Sequence, residues 1–82
     1  MFIIELTYKV ELQEVDDHLE AHIAYLKAQY SNKTFIASGR KVPRTGGEIL
    51  SKLKDKADMT QVLERDPFKI QGLAGYRKTG LV

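Results

Sequence analysis

Two side chains of this 82-residue chain have the types and settings that proton chemistry requires, His22 and Asp66. From Glu14 to Tyr30 the apolar residues Val15, Leu19, Leu26 and Tyr30 recur at helical spacing, and His22 falls on that stripe with Ile23 beside it. A stripe of this kind faces the core of a globular domain. An imidazole placed there loses hydration and needs a hydrogen-bond partner or a cavity. Two roles satisfy that need. A structural histidine is content with one partner; a general base needs a carboxylate to hold its ring in one tautomer and an opening through which a ligand reaches the other nitrogen.

Asp66 is the carboxylate that best fits the second role. Asp66-Pro67-Phe68 also reads as an N-cap followed by proline at the first helical position. The readings are compatible, because an ionised carboxylate has about four lone-pair sites and accepts from backbone and imidazole together. Ser38 ends a strand-like run beside Gly39, and the stretch after it, Arg40 to Gly47, carries Arg40, Lys41 and Arg44. That stretch is either a polar hairpin connection or a place where backbone amides and guanidinium groups of Arg40 and Arg44 meet an anionic ligand. His18 lies one turn before His22 but off the apolar stripe, so it is expected at the surface and a two-histidine metal site is not expected. The chain has no phosphate-loop pattern and no dinucleotide fingerprint, so no cofactor is expected.

These residues need a scaffold, and the pattern supplies one. Phe2, Ile4, Leu6, Tyr8 and Val10 alternate with Ile3, Glu5, Thr7 and Lys9, which predicts a strand with one apolar and one mixed face. A helix from Glu14 to Tyr30 follows, then a β-rich run from Thr34 to Ser38 and a loop from Gly39 to Gly47. Glu48 to Leu53 predicts a third strand. Asp55 or Asp58 can cap a short helix through Met59, Val62 and Leu63 that stops before Pro67. Pro67 to Gln71 forms one more turn ended by Gly72, and Ala74 to Lys78 a last strand. The order β-α-β-β-α-β predicts an α+β, ferredoxin-like domain over residues 1–82, with a four-stranded antiparallel sheet and both helices on one face. The other face is left for a second copy to cover, so a homodimer is expected.

Composition narrows the setting. A chain of 82 residues, 43% hydrophobic and 29% charged, has room for one soluble core. With no cysteine, neither a disulfide framework nor a thiolate metal site is available, which fits the cytoplasm. The strand-like segment begins at Phe2, so no signal peptide is expected. No apolar run approaches the roughly 20 residues that cross a membrane. A net charge of +2 with basic residues spread along the chain predicts no nucleic-acid partner.

Taken together these residues resemble the YciI-like (YCII-related) family almost end to end. The resemblance rests on Phe2-Ile3-Ile4-Glu5-Leu6-Thr7-Tyr8, on His22 with Leu26 a turn later, and on Ala37-Ser38-Gly39. It continues through Val42-Pro43-Arg44-Thr45-Gly46-Gly47, Asp66-Pro67-Phe68 and Gly72-Leu73-Ala74. It implies a dimeric α+β barrel, in which two sheets pack face to face, and an active site around a histidine–aspartate pair that falls on His22 and Asp66. Ser38, at the family's Ser-Gly position, is implied to line the same pocket. The family often has proline after that Ser-Gly; Arg40 stands here instead, adding affinity for an anionic ligand or marking a different hairpin turn.

A relative in chlorinated-aromatic breakdown acts as a dehydrochlorinase, and related barrels include muconolactone isomerases and cofactor-free monooxygenases. The resemblance therefore implies proton abstraction from a small cyclic or phenolic substrate, with His22 as base, Asp66 orienting it and Ser38 or a backbone amide holding an oxyanion. The competing expectation is a non-catalytic ligand-binding or accessory protein of the same fold, in which His22 only hydrogen-bonds a metabolite.

Overall fold

The alternating side chains at the start of the chain form β1 (Phe2–Tyr8), which turns Phe2, Ile4 and Leu6 into the core. The computed structural model describes residues 1–82. After β1 come α1 (Leu12–Asp17), α2 (Leu19–Ser31), β2 (Phe35–Arg40), β3 (Gly46–Ser51), α3 (Lys56–Leu63), α4 (Pro67–Ile70) and β4 (Ala74–Gly80). The strands lie in the order β2-β3-β1-β4, each antiparallel to its neighbours. This is the expected β-α-β-β-α-β arrangement with each helical segment in two pieces.

The helix expected from Glu14 to Tyr30 breaks at His18, whose backbone (φ −114°, ψ 6°) leaves the helical region. The break resets the rotational phase. Val15 stays buried, but α2 turns His22, Tyr25 and Gln29 inward, leaving Leu19 and Leu26 half-buried and Tyr30 exposed. His18, expected at the surface, is half-buried at the junction.

The third strand begins at Gly46 rather than Glu48 and ends at Ser51 rather than Leu53, while β2 runs on through Arg40. The connecting loop is therefore residues 41–45. Gly46 pairs with Thr7 so closely that a Cβ at this position would stand 1.8 Å from the carbonyl oxygen of Leu6. Only glycine fits there.

Asp55 caps α3 by accepting from the N–H groups of Ala57 (2.7 Å) and Asp58 (3.2 Å). Pro67 opens α4 after its N-cap Asp66. Gly72, at φ +67°, closes that turn: its N–H donates to Lys69 and the N–H of Leu73 donates back to Phe68. That bond pattern is a Schellman end, which needs a left-handed residue and therefore favours glycine.

Val15, Tyr25, Met59, Leu63 and Phe68 from the helices meet Phe2, Ile4, Leu6, Phe35 and Ile49 of the sheet in one core. The opposite sheet face carries no helix. Its register sets Ile3 opposite Leu50, and Glu5 opposite both Glu48 and Arg77, so it is apolar at one end and charged at the other. Lys41 Nζ donates to Glu5 Oε2 at 2.6 Å and relieves the two facing carboxylates.

Candidate active site

The site is assembled from α2, from the turn that opens α4, and from the sheet beneath them. His22 projects inward from α2 because the reset phase puts it with Tyr25 and Gln29 on the buried side. Asp66 is brought to it by its own capping role. The carboxylate accepts from the Phe68 N–H at 3.0 Å through Oδ1, and the same oxygen lies 2.7 Å from His22 Nδ1. Asp66 thus caps α4 and contacts His22 with the same oxygen.

Asp66 is wholly buried, at 0% exposure, so its charge has to be met inside the protein. The remaining oxygen is met by Tyr76 of β4, whose hydroxyl donates to Oδ2 at 2.5 Å. Burial of the Tyr76 phenol, with the negative charge of Asp66 beside it, holds its ionisation far above the ordinary tyrosine range, so the hydroxyl keeps its proton and donates. Asp66 thus accepts from the Phe68 N–H and from the Tyr76 hydroxyl, with His22 Nδ1 as the third group in contact with it. An ionised Asp66 is acceptor-only, which makes Nδ1 of His22 the protonated nitrogen in the neutral ring.

The ring itself is clamped. Phe68 stacks on it with centroids 3.9 Å apart and planes 4° from parallel, and Tyr25 packs beside it, offset, with centroids 6.3 Å apart and planes at 29°. Tyr25 is anchored in turn by its hydroxyl, which donates to the Val62 carbonyl at 2.8 Å.

His22 lines a cavity of about 360 Å³ between α2 and the β1–β3–β2 side of the sheet. Its walls are apolar, from Leu6, Tyr8, Leu19, Ile23, Leu26, Ile49 and Phe68, and its polar lining includes Ser38 and Arg40. Nε2 of His22 makes no hydrogen bond within the chain, yet the only buried side-chain polar atom left unpartnered is Nε of Arg44. Nε2 is therefore not sealed from solvent, and His22 is one of the residues that line the cavity. A neutral ring that donates Nδ1–H to Asp66 has its in-plane lone pair on Nε2, where it can take a proton or accept a hydrogen bond from a ligand.

The other sequence candidates are placed as follows. Ser38 lines the cavity, opposite Ile49 in the β2–β3 pairing, and its Oγ shares a 2.5 Å hydrogen bond with the Tyr30 hydroxyl. Arg40 is the last residue of β2, pairs with Gly47 and lines the cavity, so it occupies a strand position rather than the loop. Arg44 does not line the cavity. Its guanidinium donates to Asp16 Oδ1 at 2.6 Å and ties the hairpin loop to α1. That contact holds the Asp16 carboxyl below its ordinary range.

Sequence reasoning did not single out Tyr76, nor Phe68 and Tyr25 as the clamp on the ring. One signal was available for Tyr76: it shares a face of β4 with buried Ala74, and a tyrosine at such a position has to find a partner for its hydroxyl. Which partner depends on pairing between β1 and β4, which sets Tyr76 opposite Leu6.

The fold is shared with a solved structure. The 5-chloro-2-hydroxyhydroquinone dehydrochlorinase from Burkholderia phenoliruptrix AC1100, determined in complex with 2,5-dihydroxybenzoquinone, superposes with a TM-score of 0.85 at 21% sequence identity. The match covers 99% of this chain and 92% of that one. No curated protein matches the sequence. The sequence model of the YCII-related domain matches residues 1–78, nearly the whole chain, and the protein belongs to that family.

Proposed function

We propose that this protein is a cofactor-independent lyase or isomerase that abstracts a proton from a small cyclic or phenolic metabolite. The observation that carries the reading is the His22–Asp66 contact of 2.7 Å, with His22 lining the cavity and its other ring nitrogen making no hydrogen bond within the chain. Nε2 forms its bond to hydrogen as a substrate C–H bond breaks and the released pair moves onto a conjugated oxygen, or as a phenolic O–H bond breaks and the pair stays on that oxygen. Ser38 or a backbone amide donates to that oxygen as its charge develops. The intermediate then takes the proton back at another carbon, as an isomerase, or expels a leaving group with its electron pair, as a lyase. Asp66 stabilises the imidazolium formed on the way.

The apolar walls suit a flat hydrocarbon frame, and Arg40 suits an anionic substituent at its edge. Arg44 contributes to anion binding only by exchanging Asp16 for the ligand. We further propose that two copies pair through the open sheet face, where Ile3, Ala37 and Leu50 line a shallow hollow. The absence of cysteine fits a cytoplasmic setting. The dehydrochlorinase that shares this fold, named for a chlorinated hydroquinone, supports the choice of substrate class.

The test is solvent exchange. Enolisable cyclic ketones, lactones and halogenated phenols are incubated with the protein in deuterium oxide and followed by NMR. Deuterium entering an activated carbon, or turnover, that disappears in His22→Gln supports the reading. A compound that raises the melting temperature but is neither exchanged nor consumed makes the protein a binding or accessory protein instead.

A further inference from the structure

The capping role of Asp66 uses Oδ1 alone, through the Phe68 N–H. Its second oxygen is left over, at a fully buried position, and β4 brings one hydroxyl to it. A buried tyrosine hydroxyl does not require a carboxylate; Tyr25, in the same core, is satisfied by a backbone carbonyl. The distinctive feature is the chain Nε2–Nδ1···Asp66···Tyr76, in which one carboxylate bridges an imidazole and a phenol.

A carboxylate beside an imidazole stabilises the imidazolium. The more negative charge that carboxylate keeps, the more it favours the ring protonated at both nitrogens, which has no lone pair to act as base. A donor on the far oxygen draws off part of that negative charge and weakens the pull on the Nδ1 proton. From this arrangement we infer that Tyr76 is a positioning residue that holds His22 in its neutral, proton-accepting form through Asp66. Its catalytic meaning rests on the proton-abstraction reading.

The surroundings agree with this direction. Lys69 Nζ lies 5.4 Å from the centroid of the Tyr76 ring, and a cation over the ring makes its hydroxyl a stronger donor. The other titratable or charged groups near the chain are Tyr25 on α2, Arg65 beside Asp66, Tyr8 on β1, and Arg40 across the cavity, while Glu48 sits on the helix-free face of the sheet opposite Glu5. None of them makes a hydrogen bond to either oxygen of Asp66.

The test is the pH titration of the His22 ring by NMR in the native protein and in Tyr76→Phe, with His18 as internal control. Loss of the hydroxyl is expected to raise the His22 midpoint by about half a unit to one unit and leave His18 unmoved. An unchanged His22 midpoint, whatever the variant's stability, reduces Tyr76 to a packing residue and overturns the inference. Should the variant fail to fold, the native protein gives the same answer. The Tyr76 Cζ resonance is expected to move with the midpoint of His22, and a resonance that stays flat through that transition contradicts the coupling. Neither measurement needs a substrate. Failure of the deuterium-exchange test therefore strikes the proton-abstraction reading, and failure here strikes the role of Tyr76.

Discussion

The imidazole of His22 lies flat on the ring of Phe68, 3.9 Å between centroids and 4° from parallel. Phe68 is two residues beyond Asp66, so the same helical turn supplies the carboxylate for Nδ1 and the surface against which the ring rests. A base delivers its lone pair in the plane of its ring, and this turn fixes both the rotation and the tautomer. Phe68→Leu, which keeps most of the core volume but removes the flat face, is expected to cost about 1–2 kcal/mol in urea denaturation. Turnover should fall further than stability does. Unchanged turnover would mean that Asp66 alone orients the ring.

Asp66→Ala and Asp66→Asn separate capping from pairing. Alanine removes the cap and leaves the Tyr76 hydroxyl and His22 Nδ1 without a buried acceptor, a combined cost of about 3–5 kcal/mol. Asparagine keeps an acceptor for the Phe68 N–H and is expected to retain most of the stability while losing the charge that supports an imidazolium. If alanine costs only the ~1 kcal/mol typical of an N-cap, the contacts with His22 and Tyr76 contribute little.

The start of β3 gives a steric prediction. Gly46→Ala would press its Cβ to 1.8 Å from the Leu6 carbonyl oxygen, whereas Gly39→Ala meets nothing within 4 Å. The first is expected to cost more than about 3 kcal/mol or prevent folding, and the second to stay within about 0.5 kcal/mol. Equal melting temperatures for the two variants would contradict the observed register of β3 on β1.

Much of this scaffold was legible in the chain, and the limits have physical causes. Alternation exposed β1 because its burial has period two, and Asp66-Pro67 marked the start of α4 because a cap and a fixed φ act within three residues. The register of α2 was not legible. Leu19 and Leu26 looked like core at helical spacing, yet with Ile23 they line the cavity, an apolar surface that exists only once the sheet stands opposite. The break at His18 carries no proline or glycine to announce it. Tyr76 joins Asp66 through pairing of the first and last strands, information no local window contains.

Acid stability should depend on two surface pairs. Lys41 holds the Glu5 carboxyl below its ordinary range by hydrogen bond and charge, and Arg44 does the same to Asp16. A carboxylate whose pKa is depressed in the folded state contributes stability that is full above its unfolded pKa and is lost as pH falls through the folded value. The chain should therefore lose stability as pH drops from about 5 toward 2, and Lys41→Met with Arg44→Met should flatten that slope. Because both pairs are screened by solvent, added salt should flatten it too. Parallel slopes for native and variant proteins would remove these pairs from the acid transition.

The most direct test of the central claim is the protonation state of each nitrogen of His22 at neutral pH, read from its long-range proton–nitrogen NMR correlations. The geometry predicts Nδ1 protonated against Asp66 and Nε2 bare toward the cavity. A proton found on Nε2, in the opposite tautomer or in a doubly protonated ring, would contradict His22 as a resident base.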